Sequence, residues 1–241
     1  MKIYLDGLER SGNVYLSYAL GWATGLEVNA KRTHRVETLK EYNQDYPFVV
    51  PVRDALPSIA SAKIYRDKVF SDNLYGVEES LTKEFEEIIK RYAEYIQYLV
   101  DNPKFFIAPF HEFTKDHNKV IYSLSKKYPS ITIETNVSAK DIIELASAET
   151  KNVFDTELGN LPRPTPKKEE IEEILKTKYL KEINDIQSNI DILYKRYYEI
   201  IPITDIWYNK SMTDMVVEKT RKVCCDGCTC ETSHSAEPVK E

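Results

Sequence analysis

The sequence predicts an α/β fold, in which helices cover both faces of a parallel sheet to give three layers. Short apolar segments alternate with helical segments along roughly the first 130 residues. This alternation is typical of parallel strands joined by crossover helices. The chain has 241 residues, of which 42% are hydrophobic and only 7 are glycine. This composition favours one substantial helix-rich domain over a β-sandwich, which would need more turns.

The elements follow from hydrophobic periodicity. Buried strands are predicted over residues 2–6, 48–52 and 104–109, with a further short strand over residues 131–134. Helices are predicted over residues 14–22, 54–65, 81–100 and 118–127. A last, long helix is predicted over roughly residues 168–200, where an apolar stripe recurs at helical spacing: Ile183, Ile186, Ile190, Leu193 and Tyr197. We expect this stripe to pack on the domain, and a homodimer seam is the alternative to a monomer.

Domain boundaries are predicted from a proline-rich stretch and from the cysteines. The stretch 161–166 interrupts regular structure, which divides the chain into an α/β domain (1–160), a helical extension (161–220) and a flexible tail (221–241). All 4 cysteines lie between Cys224 and Cys230, so no disulfide can cross-link the body of the protein. With His234 they supply enough ligands for one zinc ion. Binding of a softer metal, redox chemistry and a plain disordered tail are equally open.

Charge and hydropathy exclude two classes of partner. The net charge of −6 repels polyanions, so a nucleic-acid partner is not expected. No run of residues approaches the length of a membrane span, and the first residues lack the pattern of a signal peptide. The sequence therefore predicts a cytoplasmic protein without a membrane partner.

A candidate phosphate-binding loop follows the first strand. Gly7 and Gly12 have the G-x-x-x-x-G spacing of a P-loop, between a strand and a helix. Backbone amides of such a loop, together with the helix N-terminus, attract an anion. Asn13 and Val14 stand where a nucleotide triphosphatase has Lys and Ser or Thr, so Val14 cannot ligate magnesium. The positive charge lies inside the loop, at Arg10. An ordinary strand–loop–helix turn with an incidental arginine is the alternative interpretation.

A second candidate anion site follows the next strand. Arg53 comes directly after residues 48–52, and Ser61 lies two helical turns later on the same face as Ser58. A guanidinium and a hydroxyl can hold a phosphate jointly. Because ligands of open parallel sheets bind at the carboxyl ends of strands, both sites are expected to face one groove. Two phosphate sites suit a nucleotide that carries phosphates on its 5′ and 3′ positions.

These two motifs resemble those of the sulfotransferases. Residues 7–16 are similar to the family's 5′-phosphosulfate loop, and residues 52–61 resemble its 3′-phosphate motif, in which Arg and Ser lie eight positions apart. The resemblance covers roughly residues 1–130. It implies 3′-phosphoadenosine-5′-phosphosulfate as donor, a hydroxyl or amine acceptor (a small molecule or glycan), and transfer without a metal. It also implies these donor-binding residues: Arg10, Ser11, Gly12, Asn13, Val14, Arg53 and Ser61. The chain departs from the family where Glu9 replaces a proline and where Asn13 and Val14 replace hydroxyl residues.

Sulfuryl transfer needs a base for the acceptor and a positive charge for the leaving phosphate. Arg10 is the candidate for the charge, and His34 is the candidate base, because imidazole accepts protons near neutral pH. Residues 30–35 resemble the Lys-Thr-His stretch of cytosolic sulfotransferases, with Arg32 as an insertion. A surface histidine in a basic loop is the alternative, and Glu37 is the substitute base.

The remaining polar and aromatic residues carry weaker predictions. His111 and Glu112 are predicted to be structural, and His117 to be a solvated helix residue. The acceptor site is expected to be shaped by residues 31–46 and 69–80. The aromatic residues of these segments are interpreted as pocket lining or as core: Tyr42, Tyr46, Phe70 and Tyr75.

Two other functions remain open. A non-catalytic nucleotide-binding or scaffold protein on the same fold is consistent with Glu9 and Val14. A P-loop kinase of small molecules is disfavoured, because the lysine and hydroxyl that bind magnesium nucleotides are missing.

Overall fold

The structure, a computed structural model, describes residues 1–31, 33–42, 46–71, 81–154 and 166–200. These residues belong to one compact unit, Met1–Ile201. Within these ranges, strands and helices alternate in the order β1 (Lys2–Leu5), α1 (Asn13–Thr24), β2 (Glu27–Ala30), α2 (Val36–Lys40), β3 (Phe48–Val52), α3 (Ala55–Ser71), α4 (Leu81–Asp101), β4 (Phe106–Pro109), α5 (Phe110–Lys127), α6 (Ala139–Phe154), α7 (Pro166–Lys178) and α8 (Leu180–Ile200).

The four described strands form one parallel sheet in the order β2-β1-β3-β4. The chain therefore moves from β1 to one neighbour, β2, and then returns to the other neighbour, β3. In open α/β sheets, such a switch point leaves a crevice at the carboxyl ends of the two strands. The loop after β1 and the residues after β3 both lie at this crevice.

Helices cover both faces of the sheet, which confirms the predicted α/β class and its three layers. On β3, Phe48, Val50 and Val52 face a core shared with α3, α4, α7 and α8. Val49 faces the opposite core, which is formed with α1, α5 and α6. Because each face is buried, the central strands are apolar at nearly every position.

The predicted apolar stripe of the last helical region is buried in these cores. Ile183, Ile186, Ile190 and Leu193 join the α3–α4 side, and Tyr197 joins the other. The prediction of one long helix over residues 168–200 is wrong, because the helix is interrupted at Tyr179. α7 packs on α3, whereas α8 packs on α4 and β4. The interruption thus allows two helices to cover different parts of the same core.

One predicted strand is absent, and one observed strand was not predicted. Residues 131–134 form no strand: the amides of Glu134 and Thr135 donate to the carbonyl of Ala23 at the end of α1 (2.7 and 3.3 Å), away from the sheet. β2, which the sequence did not indicate, is an edge strand that pairs with β1. α5 bends at Asp116, whose φ and ψ are −153° and 90°, so the predicted helix over residues 118–127 is the second part of α5, and the part from Phe110 to the bend was not predicted. No helix within the described ranges has both the length and the apolar composition that crossing a bilayer requires.

Candidate functional site

The loop between β1 and α1 is compact and closely packed. Arg10 and Gly12 have positive φ angles of 63° and 89°, and the Ser11 amide donates to the Leu8 carbonyl at 3.3 Å. A Cβ on Gly7 would lie 2.6 Å from the Pro51 carbonyl oxygen of β3. Glycine at position 7 therefore lets the loop lie directly against the end of β3.

Replacing Gly12 with alanine is expected to lower the free energy of unfolding by about 3 kcal/mol. The new Cβ would lie 2.7 Å from the Phe113 ring, and the positive φ is unfavourable for alanine. Gly21→Ala inside α1, the helix that follows Gly12, is the control, since its Cβ meets only ordinary contacts, the nearest at 3.8 Å. We expect this control to be more stable than wild type by about 0.5–1 kcal/mol. Urea denaturation measures both, and equal effects of the two substitutions would contradict this account.

Two buried tyrosines of α4 hold the loop through hydrogen bonds to its backbone. Tyr92 donates its hydroxyl hydrogen to the Glu9 carbonyl at 2.7 Å, and Tyr95 donates to the Asp6 carbonyl at 3.1 Å. Burial raises the pKa of both phenols, and the nearby carboxylates of Glu9 and Asp6 raise them further. Both hydroxyls therefore remain protonated donors, which positions the loop on α4.

The carboxylate of Glu9 is paired with arginines of α3 and α4. Its Oε2 lies 2.7 Å from Nη2 of Arg91 and 3.5 Å from Nε of Arg66. The acid that departs from the sulfotransferase pattern is thus neutralised by its own cations. Glu9 thereby anchors the loop to α3 and α4, whereas the side chain of the neighbouring Arg10 contacts Ser61.

Ser11 and Asn13 direct their side chains into the loop itself. Asn13 Nδ2 donates to the carbonyls of Gly7 and Leu8, each at 3.1 Å, and Ser11 Oγ donates to the Leu8 carbonyl at 2.6 Å. These groups stabilise the loop conformation. The loop is followed by the first backbone amides of α1, including that of Val14, and amides in a first helical turn have no intrahelical acceptor.

The two predicted anion sites contact each other. Arg10 Nε donates to Ser61 Oγ at 3.2 Å, and Arg53 Nη1 donates to the Arg10 carbonyl at 3.3 Å. The Arg53 guanidinium also lies over the ring of Phe110, 4.5 Å from its centroid. The structure therefore brings Arg10, Arg53 and Ser61 into one cluster at the switch point between β1 and β3.

Burial and mutual repulsion act on the cations of this cluster. Burial lowers the pKa of Arg10, and the charge of Arg53 lowers it further. Burial also lowers the pKa of Arg53. Like charges held together in a partly buried place are costly, and such an arrangement is typical of a site for an opposite charge.

Lys168 is a third cation beside this cluster that sequence reasoning missed. It lies in the first turn of α7, with its Nζ 3.6 Å from the carboxylate of Glu172. Burial lowers its pKa, and the charges of Arg53 and Arg10 lower it too, against the opposing effect of Glu172. No local motif marks this lysine, because only the packing of α7 on α3 brings it to the arginines.

His34 lies beside the loop in a constrained orientation. Its φ is 57°, and its Nδ1 lies 2.5 Å from the Gly7 carbonyl. Because a carbonyl only accepts, Nδ1 carries the hydrogen, which leaves Nε2 of the neutral ring as the proton acceptor. The buried carboxylate of Asp6 lies 3.7 Å from Nδ1 and accepts a hydrogen bond from Thr33 at 2.8 Å. Burial raises the pKa of Asp6, whereas its contacts with Thr33 and His34 lower it.

The other histidines of the described helices have structural contacts. The prediction that His117 is solvated is wrong, because it is 4% exposed. Its Nε2 donates to the Val137 carbonyl at 2.7 Å, and its Nδ1 lies 3.1 Å from the Tyr15 hydroxyl. His111 contacts the hydroxyl of Tyr198 at 2.9 Å. That hydroxyl in turn donates to Glu112 at 2.8 Å, so His111 and Glu112 link α5 to α8.

The predicted acceptor-shaping aromatics lie away from the loop or outside the described residues. Tyr42 packs edge-on against Phe48 at 4.8 Å, and Tyr46 lies 5.8 Å from Tyr4. Phe48 is the first residue of β3, so these rings cluster near the amino end of that strand, opposite to Arg53. The Phe70 side chain, Tyr75, and the cysteines Cys224–Cys230 lie outside what the structure describes.

Glu37, the substitute base, is exposed on α2 and makes no hydrogen bond or ion pair with Asp6 or Gly7 in the described chain.

Comparison with protein-family models, curated proteins and solved structures finds no significant match. Function must therefore be argued from the site itself. The site places cations from the loop, β3 and α7 near a histidine whose free nitrogen can accept a proton. Such an arrangement can bind an oxyanion and deprotonate a neighbouring group.

Proposed function

We propose that this protein is a sulfotransferase that uses its P-loop-type domain to transfer a sulfuryl group from 3′-phosphoadenosine-5′-phosphosulfate to a hydroxyl or amine acceptor. One observation carries the proposal: Arg10, Arg53 and Ser61 converge at the switch point, and His34 contacts the same loop. The resemblance of residues 7–16 and 52–61 to the sulfotransferase motifs supports the choice of donor.

The donor carries negative charge at two positions, and the site offers positive potential for both. Arg10 and the first amides of α1 are assigned to the 5′-phosphosulfate. Arg53 and Ser61 are assigned to the 3′-phosphate, with Lys168 as an added positive charge. The short contact between Arg10 and Ser61 makes the two sites neighbours, as one bridging nucleotide requires.

In the proposed reaction, Nε2 of His34 removes the proton of the acceptor as the acceptor oxygen or nitrogen attacks sulfur. The bond between sulfur and the 5′-phosphate oxygen breaks, and adenosine 3′,5′-bisphosphate leaves. Arg10 stabilises the charge that grows on this phosphate. It remains protonated throughout, because a guanidinium holds its proton at physiological pH. Asp6 and the Gly7 carbonyl hold the imidazole in the required tautomer.

Replacing Lys168 with glutamine is expected to weaken binding of adenosine 3′,5′-bisphosphate by about 3- to 10-fold, since a partly exposed cation contributes roughly 1 kcal/mol to holding a phosphate. Lys176→Gln, on the exposed side of the same helix, removes the same charge at a distance from the arginines. Isothermal titration compares the two variants. Equal affinities would exclude Lys168 from the site.

Transfer is tested directly with donor labelled by ³⁵S and a panel of hydroxyl and amine acceptors, with and without EDTA. We expect label to appear on at least one acceptor at an unchanged rate in EDTA. Magnesium-dependent transfer of phosphate from ATP, with no transfer of sulfate, would contradict the proposal and favour the kinase alternative.

A non-catalytic nucleotide-binding protein is the second candidate. It is favoured by Ser11 and Asn13, whose polar groups bond to the loop itself. Binding of the donor without turnover over the whole acceptor panel, unaffected by His34→Ala, would support this alternative over transfer.

A further inference from the structure

A groove of about 370 Å³ lies between α2 and α4, outside the cation cluster. One wall is formed by Arg35, Val36 and Glu37 at the start of α2. The other is a single face of α4, where residues recur at spacings of three and four: Glu87, Lys90, Arg91 and Glu94. Its size is within the range of small-molecule sites, about 300–1,000 Å³.

Both walls are attached to the candidate catalytic loop. Arg35 directly follows His34, whose ring contacts the Gly7 carbonyl. Arg91, on the opposite wall, holds the carboxylate of Glu9 at 2.7 Å. A molecule in this groove therefore contacts Arg91, which holds the loop, and Arg35, which follows His34, although His34 itself is not among the residues that line the groove.

The groove is lined by charges of both signs, and only some of these charges are paired with one another or with the loop. Arg91 is committed to Glu9, and Lys90 lies 3.9 Å from Glu94. The side chains of Arg35, Glu37 and Glu87 make no hydrogen bond or ion pair within the described part of the chain. None of the described residues that line the groove is aromatic, so these residues offer flat apolar acceptors such as phenols and sterols no stacking surface.

We infer that this groove is the acceptor site and that its acceptor is a small zwitterion, with its anionic group on Arg35 and its cationic group on Glu37 and Glu87. The inference rests on the proposed sulfuryl transfer and adds the class of acceptor to it. Complementary charges on the two walls orient the molecule, and its hydroxyl or amine extends out of the groove toward His34, the residue before Arg35.

Four capped tripeptides with a central serine serve as probes: acetyl-Lys-Ser-Glu-amide, its Gln-Ser-Gln analogue, and the two analogues that carry one charge each. Isothermal titration in the presence of adenosine 3′,5′-bisphosphate measures their affinities. We expect the zwitterionic peptide to bind at least about 10-fold tighter than the neutral one. The double variant Glu37→Gln with Glu87→Gln should reduce this preference below about 3-fold. Glu144→Gln, an exposed change on α6, should preserve the preference.

Equal binding of the four peptides, binding of none, or a preference that survives in the double variant would overturn the inference. The proposed function is tested separately in the same samples with labelled donor. A zwitterion that binds through Glu37 and Glu87 but accepts no sulfate would support the groove and contradict transfer. Sulfate transfer to a neutral acceptor, unchanged by the double variant, would support transfer and contradict the groove as acceptor site.

Discussion

Replacing Arg53 with glutamine is expected to weaken binding of adenosine 3′,5′-bisphosphate by about 100-fold, the largest effect on affinity that we predict. Arg53 lies at the end of β3, where it donates to the Arg10 carbonyl and stacks over Phe110. Its guanidinium is therefore held in place before a ligand arrives, and little entropy is lost on binding. Isothermal titration measures the change.

The same substitution is expected to leave the fold intact. Burial lowers the pKa of Arg53, so burial disfavours its charged form. Burying the charged guanidinium therefore lowers the stability of the fold at every pH at which Arg53 is protonated, which includes neutral pH. Glutamine removes this cost, and the thermal midpoint without ligand should stay within about 3 °C of wild type. Lys140→Gln, which is 82% exposed on α6, is the charge-matched control and should bind the nucleotide normally. Equal loss of affinity in both variants would indicate a general charge effect.

Replacing His34 with glutamine is expected to lower kcat by about 1,000-fold, within the range of 10²–10⁴ that a general base contributes. Affinity for adenosine 3′,5′-bisphosphate should change by less than about 3-fold, because the cations that hold it are unchanged. Glutamine retains a donor for the Gly7 carbonyl but has no basic nitrogen. Steady-state kinetics of sulfuryl transfer is the measurement.

His111→Gln is the matched control for His34, since His111 contacts Tyr194 and Tyr198 of α8. Its kcat should remain within about 2-fold of wild type. Glu37→Gln, the rival base, should raise KM with little change in kcat, because Glu37 lines the acceptor groove. A loss of kcat in Glu37→Gln as large as that in His34→Gln would transfer the role of base to Glu37.

The strands that the sequence predicted correctly are those buried on both faces. β1, β3 and β4 have few polar residues because cores cover both of their sides. β2 was missed because it is an edge strand, with Glu27 and Asn29 in its four residues. Residues 131–134 have the apolar character of a strand, but their amides find an acceptor in α1. Whether such a segment forms a strand depends on its pairing with distant segments of the chain, and local composition carries no information on that pairing.

The candidate site was predictable to the extent that topology dictates it. Arg10 and Arg53 each follow a strand of one parallel sheet, so their meeting follows from the shared carboxyl edge. The inward orientation of Asn13 and the pairing of Glu9 with Arg91 depend on how the loop packs, which spacing alone does not determine. Lys168 lies more than a hundred residues from either arginine, and only the packing of α7 on α3 places it there.

Thermal stabilisation by adenosine 3′,5′-bisphosphate, compared with adenosine 5′-monophosphate and with ATP plus magnesium, tests the claim that one nucleotide bridges two neighbouring anion sites. At a hundred times its Kd, the bisphosphate should raise the thermal midpoint by at least about 5 °C. The monophosphate should need far higher concentrations, and Arg53→Gln should abolish the difference between them. A shift with ATP and magnesium alone, or equal shifts with the monophosphate and the bisphosphate, would contradict the account.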